Sequence, residues 1–227
     1  MPRGKQSRGQ CAFCGYETTK GSMLKHLAAC PQRHAQIASA EQTNRKPETL
    51  YQLRMQDAYN SDFWLDLEVR GSASLKDIDA YLRAIWLECC GHLSQFSVGG
   101  WGGTEIAKQR RVDAVFQRDI ELRHIYDFGT SSETRIKAIG QHAGIPLSAR
   151  PMVLMARNLM PEATCIVCRQ PATHLCMECL IEEQAVGTLC EQHVGRHPHE
   201  DYGAPIELVN SPRLGMCGYT GPAEPPY

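Results

Sequence analysis

The sequence has no long hydrophobic run. No apolar stretch in its 227 residues approaches the roughly 18–20 needed to cross a bilayer, so no transmembrane helix and no membrane partner are expected. The start, Met1-Pro-Arg-Gly-Lys-Gln-Ser-Arg8, has no apolar stretch behind it, so a secretory leader is not expected either. Excess charge is also missing: 24 Lys and Arg face 25 Asp and Glu, a net charge of −1, which equips the whole chain poorly for tight binding to a polyanion. No internal repeat of fixed period is present. Eleven cysteines is an odd number, and without a leader it argues against a disulfide framework. What remains is 42% hydrophobic and 22% charged, an ordinary foldable composition for one medium domain or two to three small ones.

What is present is uneven. Residues 1–46 hold eight Lys or Arg against two Asp or Glu, a basic arm on an acidic body. The cysteines come in pairs, with histidines late in each cluster. That is metal-ligand spacing, and it points to a reducing, cytoplasmic setting. Five segments follow: a Cys/His unit at 1–34, a linker at 35–48, a body at 49–160, a second Cys/His unit at 161–217, and a Pro- and Gly-rich tail at 218–227.

The first unit reads Cys11-x2-Cys14-x11-His26-x3-Cys30. Two cysteines at i and i+3 on a tight turn converge on one point, and His26 and Cys30 at i and i+4 share a helix face. Zn²⁺ takes four tetrahedral N/S ligands, and a closed Cys3His set is structural rather than catalytic. Some 30 residues bury too little core to fold alone, so the metal must supply the folding energy. Around this CCHC finger, Arg3, Lys5, Arg8, Lys20, Lys25 and Arg33 form the candidate nucleic-acid contact. They suit weak phosphate contact better than base reading.

The second unit places Cys165, Cys168, Cys176, Cys179, Cys190, His193, His197 and His199 in order. Eight ligands make two closed sites, which gives three zinc ions per chain with the first. Consecutive pairing joins 165/168 with 176/179. Interleaved pairing joins 165/168 with 190/193 and 176/179 with 197/199. It resembles the B-box and related cross-brace folds, and it is preferred because Cys190–His199 leaves little backbone for a second knuckle. His174 and Cys217 are rivals to His199. Glu178, Glu182, Glu183, Glu191, Glu200 and Asp201 make this unit acidic and ill-suited to phosphate.

The body reads as α+β with an antiparallel sheet. Strands are expected at Leu50–Met55, Trp64–Val69, His92–Val98 and Met152–Ala156, and a hairpin from Leu122–Phe128 into Glu133–Ile139. Ser74 and Asp77 form a capping box before a helix whose apolar face is Leu75, Ile78, Leu82, Ile85 and Cys89, with Gly91 as its stop. Cys89 and Cys90 read as core.

Tyr51-Gln-Leu-Arg-Met55, Ser74-Leu-Lys-Asp-Ile78 with Ile85-Trp86, His92-Leu-Ser-Gln-Phe96, Tyr126-Asp-Phe-Gly129 and the stretch Asn210–Tyr219 together carry a resemblance. Over residues 49–220 the chain resembles the family named after the third open reading frame of an Ri-type plasmid, also labelled TnpR-like or transposon-passenger. Thr130 replaces the acidic residue that members carry after the glycine, and Ser131-Ser132 stand where a Trp is common. The resemblance implies an α+β fold and a mobile-element setting but no known activity. The label suggests a resolvase, yet Arg110-Arg111 has no nucleophilic serine beside it.

Three functional readings follow. The first is a non-enzymatic, zinc-stapled interaction protein, an adaptor or accessory factor with a protein partner and weak nucleic-acid contact through the finger. The second is an enzyme using His92, His124, Asp127 and Cys217. The third is a specific DNA-binding regulator. Against the second, His124 shares a strand face with Tyr126 and reads as packed, and Asp127 reads as a turn former.

Overall fold

Strand periodicity builds most of the molecule. In the computed structural model, which describes residues 7–117, 119–199, 201–223 and 225, a nine-stranded antiparallel sheet runs through the chain. Its strands are β1 (Arg8–Cys11), β2 (Glu17–Thr19), β3 (Glu48–Asp57), β4 (Trp64–Arg70), β5 (Ser94–Val98), β6 (Thr104–Ile106), β7 (Glu121–Tyr126), β8 (Ser132–Gly144) and β9 (Met152–Asn158), in the order β2-β1-β9-β4-β3-β8-β7-β5-β6. The fold is thus mixed, with helices on a large antiparallel sheet. The four strands and the hairpin read from periodicity are present, with ends shifted by a few residues.

One face of the sheet carries the main core. Leu53 and Met55 of β3 and Leu65, Leu67 and Val69 of β4 pack in one cluster with Leu75, Ile78 and Leu82 of α3 (Leu75–Leu82) and Val112 of α4 (Val112–Val115). Both halves of the Ser74/Asp77 capping box form: the Asp77 N–H donates to Ser74 Oγ, and the Ser74 N–H donates to Asp77 Oδ2 at 2.8 Å. The helix does not run on to Cys89 as an α-helix. It widens into a π-turn over Arg83–Leu87 and stops at Glu88. The wider turn swings the chain outward, so Cys89 is half-buried against the margin of the core and Cys90 is exposed. The expectation that Cys90 is a core residue is corrected by that change of pitch.

The other face of β4 presents Trp64, Asp66 and Glu68, all buried. The N-terminal unit covers it. Helix α1 (Lys20–Ala29) and the β1 segment enclose Trp64 with Cys11, Met23, Leu27, Cys30, Met155 and Ala156. A bulge at Met155 of β9 helps: its carbonyl, freed from the β4 ladder, accepts from the Ala12 N–H at 2.8 Å. Gly9 lies directly on the Trp64 ring, where a Cβ would come within 2.3 Å of ring carbon. The unit at 1–34 is therefore fused to the sheet, since β1 pairs with β9 in antiparallel register.

Two other segments differ from their sequence reading. Much of the linker at 35–48 is helical, because α2 (Pro31–Glu41) continues through it with proline at its first turn. The stretch 218–223 is docked on the sheet: Tyr219 is buried, and Arg157 Nη1 donates to the Ala223 carbonyl at 2.7 Å. The remaining segment, 161–207, makes a small three-stranded sheet of β10 (His174–Leu175), β11 (Thr188–Leu189) and β12 (Ile206–Glu207), with helices α5 (Met177–Ile181) and α6 (Glu191–Val194). Among the described residues no helix is long and apolar enough to cross a membrane.

Candidate metal centres

Each ligand pair is set by a local device. In the first unit the Gly15 N–H donates to the Cys11 carbonyl at 2.9 Å, and Gly15 takes φ 73, closing the turn that points Cys11 and Cys14 the same way. Thr19 caps α1, which places His26 on the face toward the cysteines, and Cys30 follows at the helix end. Cys165 and Cys168 repeat the device: Arg169 donates to the Cys165 carbonyl at 3.0 Å and holds φ 63, a left-handed conformation without the glycine that normally permits it. Cys176 and Cys179 open α5, and Cys190 and His193 open α6.

These devices gather three four-residue sets whose ligand atoms lie within 4.8 Å of one another: Cys11, Cys14, His26 and Cys30; Cys165, Cys168, Cys190 and His193; and Cys176, Cys179, His197 and His199. The grouping of the last eight residues is the interleaved one. A tetrahedral zinc ion with Zn–S near 2.3 Å and Zn–N near 2.0–2.1 Å implies edges of about 3.8 Å for S–S, 3.6 Å for S–N and 3.3 Å for N–N. The separations found are 3.7 and 4.0 Å for S–S, 3.2–3.7 Å for S–N and 3.1 Å for N–N. They lie within about 0.4 Å of the edges of a single-ion tetrahedron. His174 stands apart, bonded to Thr173 Oγ1 at 2.9 Å.

Crowded thiols favour a cation electrostatically. Burial, then hydrogen bonding and charge from Cys176, push the Cys179 thiol up to about 12. Burial likewise leads in raising Cys11 to about 11. Such groups release their protons at neutral pH only when a metal ion sits between them. Cys165 differs: burial raises it, but N–H groups of Cys168, Cys190 and Val167 outweigh that and bring it to about 6.

The basic residues of the finger split into two groups. Arg33 is 6% exposed and bonds Glu68 at 3.2 Å and the Leu27 carbonyl. Lys20 Nζ donates to Gln56 Oε1 and the Ser61 carbonyl, both at 2.9 Å. These two cations hold the unit to the sheet. Lys25 is exposed, and Arg8 is exposed beside Glu17 at 3.6 Å. Arg3 and Lys5 lie outside the described residues, as does Glu200 of the acidic set.

Two of the four catalytic candidates, His124 and Asp127, are locked. His124 is fully buried, with Nε2 2.7 Å from Asp79 Oδ1. Burial holds its imidazole below the ordinary histidine range. Burial pushes Asp79 up, but hydrogen bonds from His124 and Ser94 and the charge of Arg83 outweigh it and hold the carboxyl well below the usual range. Asp127 takes φ 64, accepts from the Gly129 N–H at 3.0 Å as a turn former, and pairs with Arg213 at 2.6 Å. A cleft of about 470 Å³ beside the first metal set is lined by Gln10, Phe13, Gln36, Ser148, Arg150 and Arg157 among others. Its titratable lining groups are Cys11 and the two arginines, which supply no acid–base pair.

A fourth set was not legible as one in the sequence. Cys89, Cys90, His92 and Cys217 also bring their ligand atoms within 4.8 Å. The available signals were the Cys-Cys-Gly-His run and the orphan Cys217, 125 residues from His92, with nothing local to join them.

No family model matches the chain, and no curated protein matches it. A crystal structure of a protein of unknown function from Methanosarcina mazei aligns over 48% of this chain and 69% of its own, with a TM-score of 0.40 and 14% identity, a similarity too slight to bear on function.

Proposed function

We propose that the protein is a zinc-stabilised, non-enzymatic interaction protein that holds three structural Zn²⁺ ions. The observation that supports this is the closure of the three sets. Each offers four N and S donors, no carboxylate, and edges that suit one tetrahedral ion, so no position is left for a reacting water. The burial of His124 and the pairing of Asp127 with Arg213 weigh in the same direction. Cobalt substitution of the full chain tests it. The d–d absorption of Co²⁺ at these sites should not move when azide is added. A shift that persists in Cys217→Ser would reveal an open coordination position and overturn the reading.

In finer terms, the protein is an adaptor or accessory factor for a protein partner, in the mobile-element setting that the sequence resemblance suggests and the cytoplasmic one that the cysteine spacing suggests. Its nucleic-acid contact is weak. With Arg33 and Lys20 engaged internally, the candidates that face solvent or lie outside the described residues are Arg3, Lys5, Arg8 and Lys25. Four phosphates at about 0.9 per contact limit the salt slope to roughly −3.6 in log–log form. Fluorescence anisotropy of labelled duplexes across salt concentrations measures this. Tight, sequence-selective binding with a steeper slope would favour the DNA-binding regulator instead.

A further inference from the structure

We infer that Cys89, Cys90, His92 and Cys217 form a fourth Zn²⁺ site, which clamps the segment Ser211–Tyr219 onto the edge of the body. It shares the metal reading of the other sets but uses none of their residues, and its ligands come from the body and from a segment 125 residues further along the chain.

The geometry is that of a mononuclear tetrahedral site. Cys90 Sγ lies 3.9 Å from Cys217 Sγ, and His92 Nε2 lies 3.3 Å from the same sulfur, close to the S–S and S–N edges of about 3.8 and 3.6 Å that zinc requires. All four ligand atoms lie within 4.8 Å of one another. A two-iron cluster would hold its ligand pairs apart by the width of the cluster. Three sulfurs and an imidazole nitrogen, with no oxygen donor, select zinc over magnesium or calcium.

Both halves of the site are built. The π-turn at Arg83–Leu87 ends the helix one residue before Cys89. Gly91 at φ 73 then reverses the chain, its N–H donating to Glu88 Oε1. That reversal brings Cys90 and His92 to the same side as Cys89. On the other half, Cys217 holds φ 50 and ψ 36 between Gly215 and Gly218, a strained backbone for a residue with a side chain. Its platform is firm. Arg213 is fully buried and bonds Asp127 at 2.6 Å, the Thr130 carbonyl at 2.8 Å and Ser132 Oγ at 2.9 Å. Ser211 Oγ donates to the Trp86 carbonyl at 2.8 Å. Arg213 Nη2 also lies 3.3 Å from Cys89 Sγ, so a buried guanidinium donates to a ligand sulfur. Asp127 Oδ2 lies 3.6 Å from His92 Nε2. The Arg213 guanidinium offsets the negative charge of the ligand set and neutralises Asp127, whose carboxylate faces the ligating nitrogen itself.

Cys90 and Cys217 are exposed, whereas Cys11, Cys30, Cys165, Cys176, Cys179 and Cys190 are buried. The fourth ion is therefore the first that a competing chelator should remove.

The test is metal counting joined to thiol mapping on the full chain, prepared under reducing conditions with Zn²⁺. Native mass spectrometry should find four zinc ions, falling to three in Cys217→Ser and in Cys90→Ser. In the unmutated, zinc-loaded chain, N-ethylmaleimide should leave Cys90 and Cys217 unlabelled until a chelator is added. That readout needs no variant to fold. Three ions in the parent chain with Cys90 and Cys217 promptly labelled, or a Cys90–Cys217 disulfide in place of a metal, would overturn the inference. Peptide-resolved labelling also shows whether Cys11, Cys165 or Cys176 is free, so failure of one of the three structural sites reads separately.

Discussion

Substituting Cys176→Ser is expected to cost the chain one metal ion and the fold of residues 161–207. The buried cluster of that region consists of Cys165, Cys176, Cys179, Leu189 and Cys190, with Cys168 and Val194 against it. Leu189 and Leu175 are its buried leucines, and burying a leucine contributes only about 1.5–3 kcal/mol. A structural zinc ion contributes apparent binding energies of about 10–16 kcal/mol in small finger peptides, so metal and not packing decides stability here. The interleaved grouping adds a pattern. His197→Ala should lose the same ion as Cys176→Ser, and His193→Ala the same ion as Cys165→Ser. Native mass spectrometry with limited proteolysis checks both. If Cys165→Ser and Cys176→Ser proved to lose a common ion, the grouping would be refuted.

The second large effect concerns the N-terminal unit. Residues 1–34, set off from the body by a linker in the sequence, should prove inseparable from it. Removing them uncovers Trp64, Met155 and Ala156, opens the edge of β9, and strands Glu68 without Arg33, while Asp66 keeps its pair with Arg54. An exposed, apolar sheet edge is an aggregation site. The truncated chain should therefore aggregate, or melt without cooperativity, while the full chain does neither. Trp64→Ala isolates the packing part. Truncating a fully buried tryptophan costs about 3–5 kcal/mol, a fall on the order of 10 °C in melting temperature for a chain of this size. Differential scanning fluorimetry on the three proteins decides it. A truncated chain as soluble and cooperative as the full one would restore the finger as an independent unit.

How much was legible follows the distance over which each feature is encoded. Cys11-x2-Cys14 and His26-x3-Cys30 each lie within one turn of chain, so spacing alone placed their side chains together. The alternation of β3, β4 and β7 is equally local, and so is the Ser74/Asp77 cap. The π-turn was not readable. Leu75, Ile78, Leu82, Ile85 and Cys89 fit a regular helix, and the departure arises from what Arg83 reaches: Asp79, Glu88, the His92 carbonyl and Ser94. Arg33 looked like a phosphate contact because an arginine in a basic arm is usually solvated. Its true partner, Glu68, lies 35 residues away on the covered face of β4.

The sequence by itself determined the ligand types, the spacing of two pairs in each of three metal sets, and the strand periods of an antiparallel body. Those depend on bond geometry within a few residues. Tertiary structure alone decided which face of β4 the finger seals, that residues 219–223 dock, and that Cys217 meets Cys89, Cys90 and His92. The first follows from a bulge at Met155 and a glycine at position 9, which let two backbones approach. The last follows from a buried Arg213–Asp127 pair that anchors one segment against another more than 80 residues away in sequence, a closure that no local pattern encodes.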